Sequence, residues 1–260
     1  MSYSTLLLSE HEHVATITLN RPDKRNAISY ELIDELLAAL DEVAHSGAQV
    51  VIITGAGKAF CSGMDLDNLR FVTRRTAEDN LKDSEAIAHL FRVIYEFPLP
   101  TIAAVNGAAI AGGCGIATLC DFTIASSDAK FGYSEVRIGF IPAIVSSFLL
   151  RQVGEKHARD LLITGRAIDA EEAHRIGLAN EVTTPEQLLP RAHALAALLK
   201  ENSPTALSGT KRLLADYARE QLDRELKMGI DTNAQIRTTD DFREGVTAFL
   251  EKRKPKWTGK

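Results

Sequence analysis

The chain has 260 residues, 45% of them hydrophobic and 25% charged, which is enough apolar material for a sizeable globular core. A net charge of −5 and a pI near 5.8 argue against partners such as nucleic acid or anionic membranes. Three irregularly spaced cysteines indicate neither a disulfide framework nor a structural zinc site. The N-terminus lacks the basic start and apolar stretch of a signal peptide, and no apolar run approaches the ~20 residues that span a bilayer. These features predict a cytoplasmic protein.

Strands and helices alternate along the first part of the chain. Period-two alternation indicates strands, and an apolar stripe between the possible cap Ser29 and the stop Gly47 indicates a helix. A polar stretch over residues 69–83 precedes the next helical pattern, which two prolines end. The predicted elements up to residue 105 are strand 13–20, helix 30–46, strand 49–54, helix 86–95 and strand 101–105.

The second part of the chain becomes progressively helical. The pattern predicts a helix at 113–119, a strand at 122–125 and helices at 143–152, 156–164 and 170–176. From about residue 185 it is helical almost to the end, and Pro204 after Ser203 starts a new helix. Strands that alternate with helices, followed by helices alone, indicate an α/β core with a helical C-terminal part.

Several common site motifs do not fit this sequence. The segment from Gly55 to Lys58 has too short a spacing for a phosphate-binding loop, and residues 111–115 do not fit GxGxxG. No GxSxG nucleophile elbow occurs. His11 and His13 share a face, but no nearby carboxylate or cysteine completes a metal site. The sequence therefore predicts no nucleotide loop, no serine hydrolase of that type and no metal.

Three spaced segments carry the functional signal: NRPDKRNAIS (20–29), KAFCSGMDL (58–66) and NGAAIAGGCGIATLCDFTIASSDAKFGYSEVRIGFIPA (106–143). Together they resemble the enoyl-CoA hydratase/isomerase (crotonase) superfamily, and the matching order extends through most of the chain. The resemblance implies an α/β crotonase (ClpP/crotonase-like) spiral of ββα units. It further implies a spiral core with the CoA-thioester site in residues 1–200 and a helical region for oligomerisation in 201–260, as a homotrimer or homohexamer.

Catalytic roles also follow from the resemblance. A thioester enolate needs two convergent hydrogen-bond donors at its oxygen. In the family these are backbone N–H groups, which in this sequence belong to Met64 and Gly112. Glu135, in FGYSEVRIG, stands where family members carry the glutamate that moves a proton at the acyl C2 or C4. Without the motif, Glu135 would be interpreted as an exposed loop carboxylate.

The same comparison suggests where coenzyme A binds. Arg25 and Ala27 lie in the loop that touches the nucleotide end in relatives, and Ser62, Asp65 and Leu66 flank the oxyanion loop. The basic tail EKRKPKW (251–257) either approaches the CoA phosphates or is a solvated, fraying terminus. No cofactor is expected other than the coenzyme A of the substrate.

The sequence departs from the family pattern at Gly115, where hydratases with two glutamates carry the second one. Hydration of a 2-enoyl-CoA is the favoured function. The alternative is a Δ3,Δ2-enoyl-CoA isomerase, in which Glu135 is the sole acid and base. An alternative of another class is a non-catalytic scaffold or an RNA-associating protein, against which the acidic net charge counts. Asp121 is expected to be structural and is no substitute for the missing carboxylate.

Overall fold

The computed structural model describes residues 3–72 and 75–260, without the side chains of residues 66, 67 and 70. Its strands are β1 Leu6–His11, β2 Val14–Leu19, β3 Val50–Gly55, β4 Ala59–Cys61, β5 Thr101–Val105, β6 Ala108–Ile110, β7 Phe122–Ser126, β8 Lys130–Gly132, β9 Ala167–Asp169 and β10 Glu181–Thr183. Its α-helices are α1 Tyr30–Ala44, α2 Leu66–Val72, α3 Ala77–Tyr95, α4 Gly112–Leu119, α5 Ala143–Thr164, α6 Ala170–Arg175, α7 Leu188–Lys200, α8 Pro204–Ile236 and α9 Asp240–Leu250.

The strands form two sheets that the chain visits in turn. The larger sheet has the order β1-β2-β3-β5-β7-β10 and is parallel except for the β1–β2 pair. The smaller sheet has the order β4-β6-β8-β9. The successive pairs β3–β4, β5–β6 and β7–β8 each give their first strand to the larger sheet and their second to the smaller one. This repeat is a spiral of ββα units, and the predicted fold class is confirmed.

The core explains why the central strands could be predicted. All the side chains from Val50 to Ile53 are fully buried, as β-branched residues of a strand covered on both faces should be. Helix α1 begins where Ser29 accepts a hydrogen bond from the N–H of Leu32, as its capping role requires. A left-handed residue, Gly154, divides α5 between the two helices that the sequence predicts there.

The polar stretch at 69–83 is where the sequence prediction was wrong. Helix α3 begins at Ala77, about nine residues before the predicted start, and α2 occupies part of the stretch. The cause is that the first turns of α3 bury polar residues, namely Asn80, Asp83 and Ser84. A hydrophobic stripe therefore appears only further along the helix.

The long helix α8 packs against α3 and α5 and is the main element of the C-terminal region. One of its faces is buried through Leu222, Leu226 and Gly229, whereas Leu213 and Leu214 are 50% and 60% exposed. Within residues 3–72 and 75–260, none of the helices combines the length and the apolar character that crossing a bilayer requires.

Candidate active site

A cavity of about 700 Å³ opens where the loop after β2, the segment between β4 and α2, the start of α4 and the turn before α5 meet α8 and α9. The predicted site residues that line it are Arg25, Ala27, Ser62, Met64, Asp65, Gly112 and Glu135. The side chain of Leu66, the remaining predicted residue, lies outside the described part of the structure. Residues that are far apart in the sequence thus line one cavity.

The loop after β2 is held in place by Asn26, which is fully buried. Its Oδ1 accepts a hydrogen bond from the N–H of Arg21, and its Nδ2 donates to the carbonyl oxygens of Ala56 and Ala59 at 2.9 and 2.8 Å. The Arg21 side chain forms an ion pair of 2.8 Å with Asp65. Asp65 therefore lines the cavity with its carboxylate held by Arg21, which ties the two loops together.

Met64 lies in a single parallel bridge with Ile28. Ile28 makes both hydrogen bonds of this bridge, donating to the oxygen of Gly63 at 2.8 Å and accepting from the N–H of Asp65 at 2.9 Å. In a parallel pair the intervening residue directs its own N–H and C=O away from the partner. The N–H of Met64 is consequently on the side opposite Ile28.

Gly112 is the first residue of α4, whose leading N–H groups have no acceptor within the helix. Ala111 before it has φ +51° and ψ −125°, an unusual conformation that turns the chain sharply into the helix. Close packing fixes this turn, because a Cβ on Gly113 would lie 2.3 Å from the carbonyl oxygen of Cys61. The start of α4 packs so closely against β4 that only glycine fits at this position.

Glu135 begins a short 3-10 turn, Glu135–Ile138, and is only 8% exposed. Its carbonyl oxygen accepts a hydrogen bond from the N–H of Phe140 at 3.0 Å, which fixes the turn. Its Oε2 is buried without a hydrogen-bond partner among the described residues. Burial raises the pKa of the carboxyl to about 7, and a hydrogen bond from its own backbone N–H lowers it only in part.

The surroundings of Gly115 are apolar. A Cβ on this residue would lie 2.8 Å from Cζ of Phe91 and 3.1 Å from Cγ1 of Val145. Both side chains line the cavity. The position at which two-glutamate relatives are expected to carry a second carboxylate is therefore closed by hydrocarbon.

Asp121 has the structural role that its sequence context predicts. Its Oδ2 accepts hydrogen bonds from the N–H and the hydroxyl of Thr101 at 2.7 and 2.9 Å, and it forms an ion pair with Lys211. Asp121 does not line the cavity, so it does not replace the missing carboxylate.

Sequence reasoning missed the contribution of the C-terminal helices to the cavity wall. Asn233, Arg237, Phe242, Phe249 and Lys252 line it as well. Lys252 belongs to the basic tail, but the others carry no local motif that marks them. The tail is held against α9, because Glu244 forms an ion pair of 2.6 Å with Arg253 and accepts a hydrogen bond from the N–H of Lys256 at 2.7 Å. In the part of the chain that the structure describes, no three His, Cys, Asp or Glu side chains cluster in a way that could hold a metal ion.

Comparison with known proteins adds a family. A sequence model described as enoyl-CoA hydratase/isomerase matches residues 9–260. A Thermus thermophilus protein, provisionally named an enoyl-CoA hydratase, is 45% identical over 249 residues, which cover 95% of this chain and 98% of the relative. The crotonyl-CoA hydratase of Syntrophomonas wolfei is 36% identical over 263 residues, covering 100% of both chains. The crystal structure of an enoyl-CoA hydratase/isomerase from Xanthobacter autotrophicus Py2 matches with a TM-score of 0.89 at 31% identity, over 97% of this chain and 98% of that one.

Proposed function

The chain belongs to the enoyl-CoA hydratase/isomerase family, and we propose that it adds water across the 2,3 double bond of a 2-enoyl-CoA thioester. The observation that carries this proposal is Glu135, a buried carboxyl in the cavity wall whose Oε2 has no partner among the described residues and whose pKa is about 7. A carboxyl group that titrates near neutral pH can both accept and release a proton during turnover.

In the proposed reaction, ionised Glu135 takes a proton from water while the water oxygen forms a bond to C3. The electron pair of the 2,3 double bond moves toward the thioester, which becomes an enolate. Glu135 then returns the proton to C2, and the carbonyl double bond is restored. The carboxyl group ends in the state in which it began, so the sequence of steps uses no cofactor other than the coenzyme A of the substrate.

The enolate oxygen is assigned to the N–H groups of Met64 and Gly112. The support is that both residues line the cavity, that the Met64 N–H points away from its bridge partner and that Gly112 opens a helix. Preorganised backbone donors stabilise a developing oxyanion at low cost, and removing one commonly lowers turnover by about 10²–10³-fold.

Coenzyme A is assigned to the rim of the same cavity. Arg25 is exposed there and Lys252 lies on the same lining, so positive charge faces the place assigned to the CoA phosphates. Ala27 and Ser62 form the adjoining wall. Asp65 and Leu66, at the start of α2, stay assigned to the pantetheine side by family resemblance alone.

Isomerisation is the second candidate, and the apolar packing at Gly115 favours it. In a Δ3,Δ2 isomerase, Glu135 takes a proton from C2 of a 3-enoyl-CoA, which gives a dienolate, and returns it to C4. This route involves no water, so a hydrocarbon wall beside the acyl chain is compatible with it.

One experiment separates these reactions. The protein is incubated with crotonyl-CoA and, separately, with a 3-enoyl-CoA, and the thioester products are identified by chromatography and mass spectrometry. Hydration adds the mass of one water to crotonyl-CoA, whereas isomerisation changes the retention time of the 3-enoyl-CoA at constant mass. If crotonyl-CoA remains unchanged while the 3-enoyl-CoA is isomerised, the hydratase proposal is wrong.

We also propose a cytoplasmic homotrimer or homohexamer assembled through residues 201–260. The support is the exposed apolar side chains of α8, including Leu213, Leu214 and Tyr217, the last of which is 76% exposed. Light scattering that gives the mass of a monomer across the micromolar range would contradict the assembly.

A further inference from the structure

A buried polar cluster forms part of the cavity wall where α8 meets α3. Arg237, at the C-terminal end of α8, is 3% exposed and lines the cavity together with Asn233, which is 6% exposed. Arg237 forms an ion pair with Asp83 of α3 and donates a hydrogen bond to Oδ1 of Asn233 at 2.9 Å. Hydrocarbon side chains alone would suffice to bind an unsubstituted acyl chain. Burying polar groups in the wall costs free energy, so their presence indicates a polar group in the ligand.

Arg237 has an incomplete set of partners. Its Nε is buried without a hydrogen-bond partner among the described residues, and its guanidinium lies 5.5 Å from the centre of the Phe140 ring. The carboxylate of Asp83 is shared with Arg75, whose Nη1 lies 3.4 Å from Oδ1. Arg75 also faces solvent, whereas Arg237 has no second ion pair in the described part of the chain. The Nε is closed to solvent, so what Arg237 brings to this part of the cavity is positive charge.

The orientation of the Asn233 amide is fixed by its neighbours. A guanidinium only donates hydrogen bonds, so the atom that faces Arg237 must be the oxygen of the amide. The hydroxyl of Ser84 donates to the same Oδ1 at 2.8 Å. The Nδ2 group is left on the other side of the amide, and no partner for it occurs among the described residues. Asn233 thus offers an unused donor at the cavity wall, next to the positive charge of Arg237.

We propose that Asn233 and Arg237 form a subsite for an oxygen acceptor at the far end of the acyl chain, so that the preferred substrates are acyl-CoA thioesters with a carboxylate or a carbonyl group remote from the thioester. This inference rests on the proposed function in that the cavity must take the acyl chain. A hydrocarbon end would leave the Nδ2 donor of Asn233 unpaired beside the charge of Arg237, whereas an oxygen would accept a hydrogen bond from it.

The test measures binding of three saturated acyl-CoA thioesters that differ only in the group on C5: a carboxylate, an acetyl group or an isopropyl group. These ends are similar in shape, and saturated chains cannot be hydrated, so calorimetric titration reports binding alone. We expect at least one oxygen-bearing thioester to bind about 10-fold or more tightly than the isopropyl one, the scale of a hydrogen bond to a charged group. A stronger carboxylate identifies an anion subsite, and equal binding of the acetyl end identifies a neutral one.

The variant Asn233→Asp sharpens the test, because it keeps the oxygen that accepts from Ser84 and Arg237 but replaces the Nδ2 donor with a second oxygen. It should weaken binding of the carboxylate thioester by about 10-fold or more and leave the isopropyl one nearly unchanged. The matched control is Asn80→Asp, which places a carboxylate at a buried asparagine on a different helix, α3, away from the cavity lining. The control should keep the preference of the native protein.

Tighter binding of the isopropyl thioester than of both others by the native protein, or an unchanged preference in Asn233→Asp, would overturn the subsite. These results differ from a failure of the proposed reaction, which is measured separately as the absence of hydrated crotonyl-CoA. Absence of binding by all three thioesters would overturn both proposals together.

Discussion

Asp83 and Glu135 are two buried carboxyl groups in nearly equal isolation from solvent, 5% and 8% exposed, and their surroundings are opposite. Asp83 lies between Arg75 and Arg237 and is ion-paired with both. The Oε2 of Glu135 has no partner among the described residues, and the pKa of its carboxyl is raised to about 7. Burial alone therefore does not assign a function. A paired buried carboxylate holds helices together, whereas an unpaired one is ready to exchange a proton.

The largest expected effect comes from Glu135→Gln, which keeps the shape of the side chain and removes its proton chemistry. Turnover of the enoyl-CoA substrate should fall by about 10²–10⁴-fold, the range for a positioned general acid or base. Binding of a saturated acyl-CoA should survive, because the Met64 and Gly112 N–H groups are untouched. Steady-state kinetics and calorimetric titration measure the two quantities separately.

The control for Glu135→Gln is Glu171→Gln, which changes an exposed carboxylate of α6 and should leave turnover as it is. Unchanged turnover in Glu135→Gln with every enoyl-CoA tested would remove Glu135 from the catalytic site. Glu135 and Asp83 would then differ only in how they are packed, and not in function.

The second prediction concerns the buried ion pair between Asp83 and Arg237. Asp83→Asn leaves the buried guanidinium of Arg237 without its carboxylate, so the free energy of unfolding should fall by about 3–5 kcal/mol. Glu78→Gln, on the same helix, breaks an exposed pair with Lys82 and should leave the free energy nearly unchanged. Urea denaturation of both variants measures the difference. A small loss in Asp83→Asn, equal to that of the surface variant, would contradict a structural role for the buried pair.

The third prediction concerns how stability changes with pH. The folded protein keeps a proton on Glu135 up to a pKa of about 7, whereas the unfolded chain releases it near the ordinary glutamate pKa of 4.5. The folded state therefore binds more protons between these two values, and Glu135 makes the free energy of unfolding fall as pH rises through this window. At ~1.4 kcal/mol per unit, the loss amounts to about 3–4 kcal/mol above neutral pH.

Glu135→Gln isolates this contribution, because the other titrating groups are the same in both proteins. The variant should be more stable than the native protein at about pH 8, and the difference should nearly vanish at about pH 4. Denaturation curves at both values measure it. A difference that does not depend on pH would mean that the carboxyl is not desolvated as its burial implies.

The sequence predicts more of the fold than of the cavity wall. Four of the six strands of the larger sheet, β2, β3, β5 and β7, could be anticipated, because they alternate regularly or are runs such as Val50–Ile53 whose burial is visible in composition alone. The two edge strands β1 and β10 were not predicted. The smaller sheet could not be anticipated, because Ala59–Cys61, Ala108–Ile110 and Lys130–Gly132 are three residues long and show no period. Their strand geometry comes from pairing with segments about 50 or 20 residues away.

The cavity residues also fall into two groups, those that a local sequence motif marks and those that none marks. Met64, Gly112 and Glu135 lie in segments with a recognisable local pattern, and the structure brings all three to one cavity. Asn233 and Arg237 lie on a helix with no such pattern, and they join the wall through contacts with Ser84 and Asp83 on α3. Contacts separated by about 150 residues are set by how helices pack, which no local motif reports.

The smallest expected effect comes from a substitution at Gly115, which tests the apolar packing around that residue. Gly115→Glu introduces a further buried carboxyl, with no partner provided for it, where a Cβ would lie 2.8 Å from Phe91 and 3.1 Å from Val145. Repacking these side chains should reduce the free energy of unfolding by about 1–3 kcal/mol. Desolvation should keep the new carboxyl largely neutral, so it is a poor base for water.

Hydration of crotonyl-CoA by Gly115→Glu should accordingly rise by less than about 10-fold over the native rate, and Gly115→Gln serves as the isosteric control. A larger rise in the glutamate variant alone would show that the side chains around Gly115 rearrange and that the new carboxylate acts as a second general base. Such a result would also favour isomerisation as the native reaction, because the protein would then lack only this carboxyl to become an efficient hydratase. A rate that stays flat in both variants supports Glu135 as the sole acid and base, with the Gly115 position filled by the hydrocarbon of Phe91 and Val145.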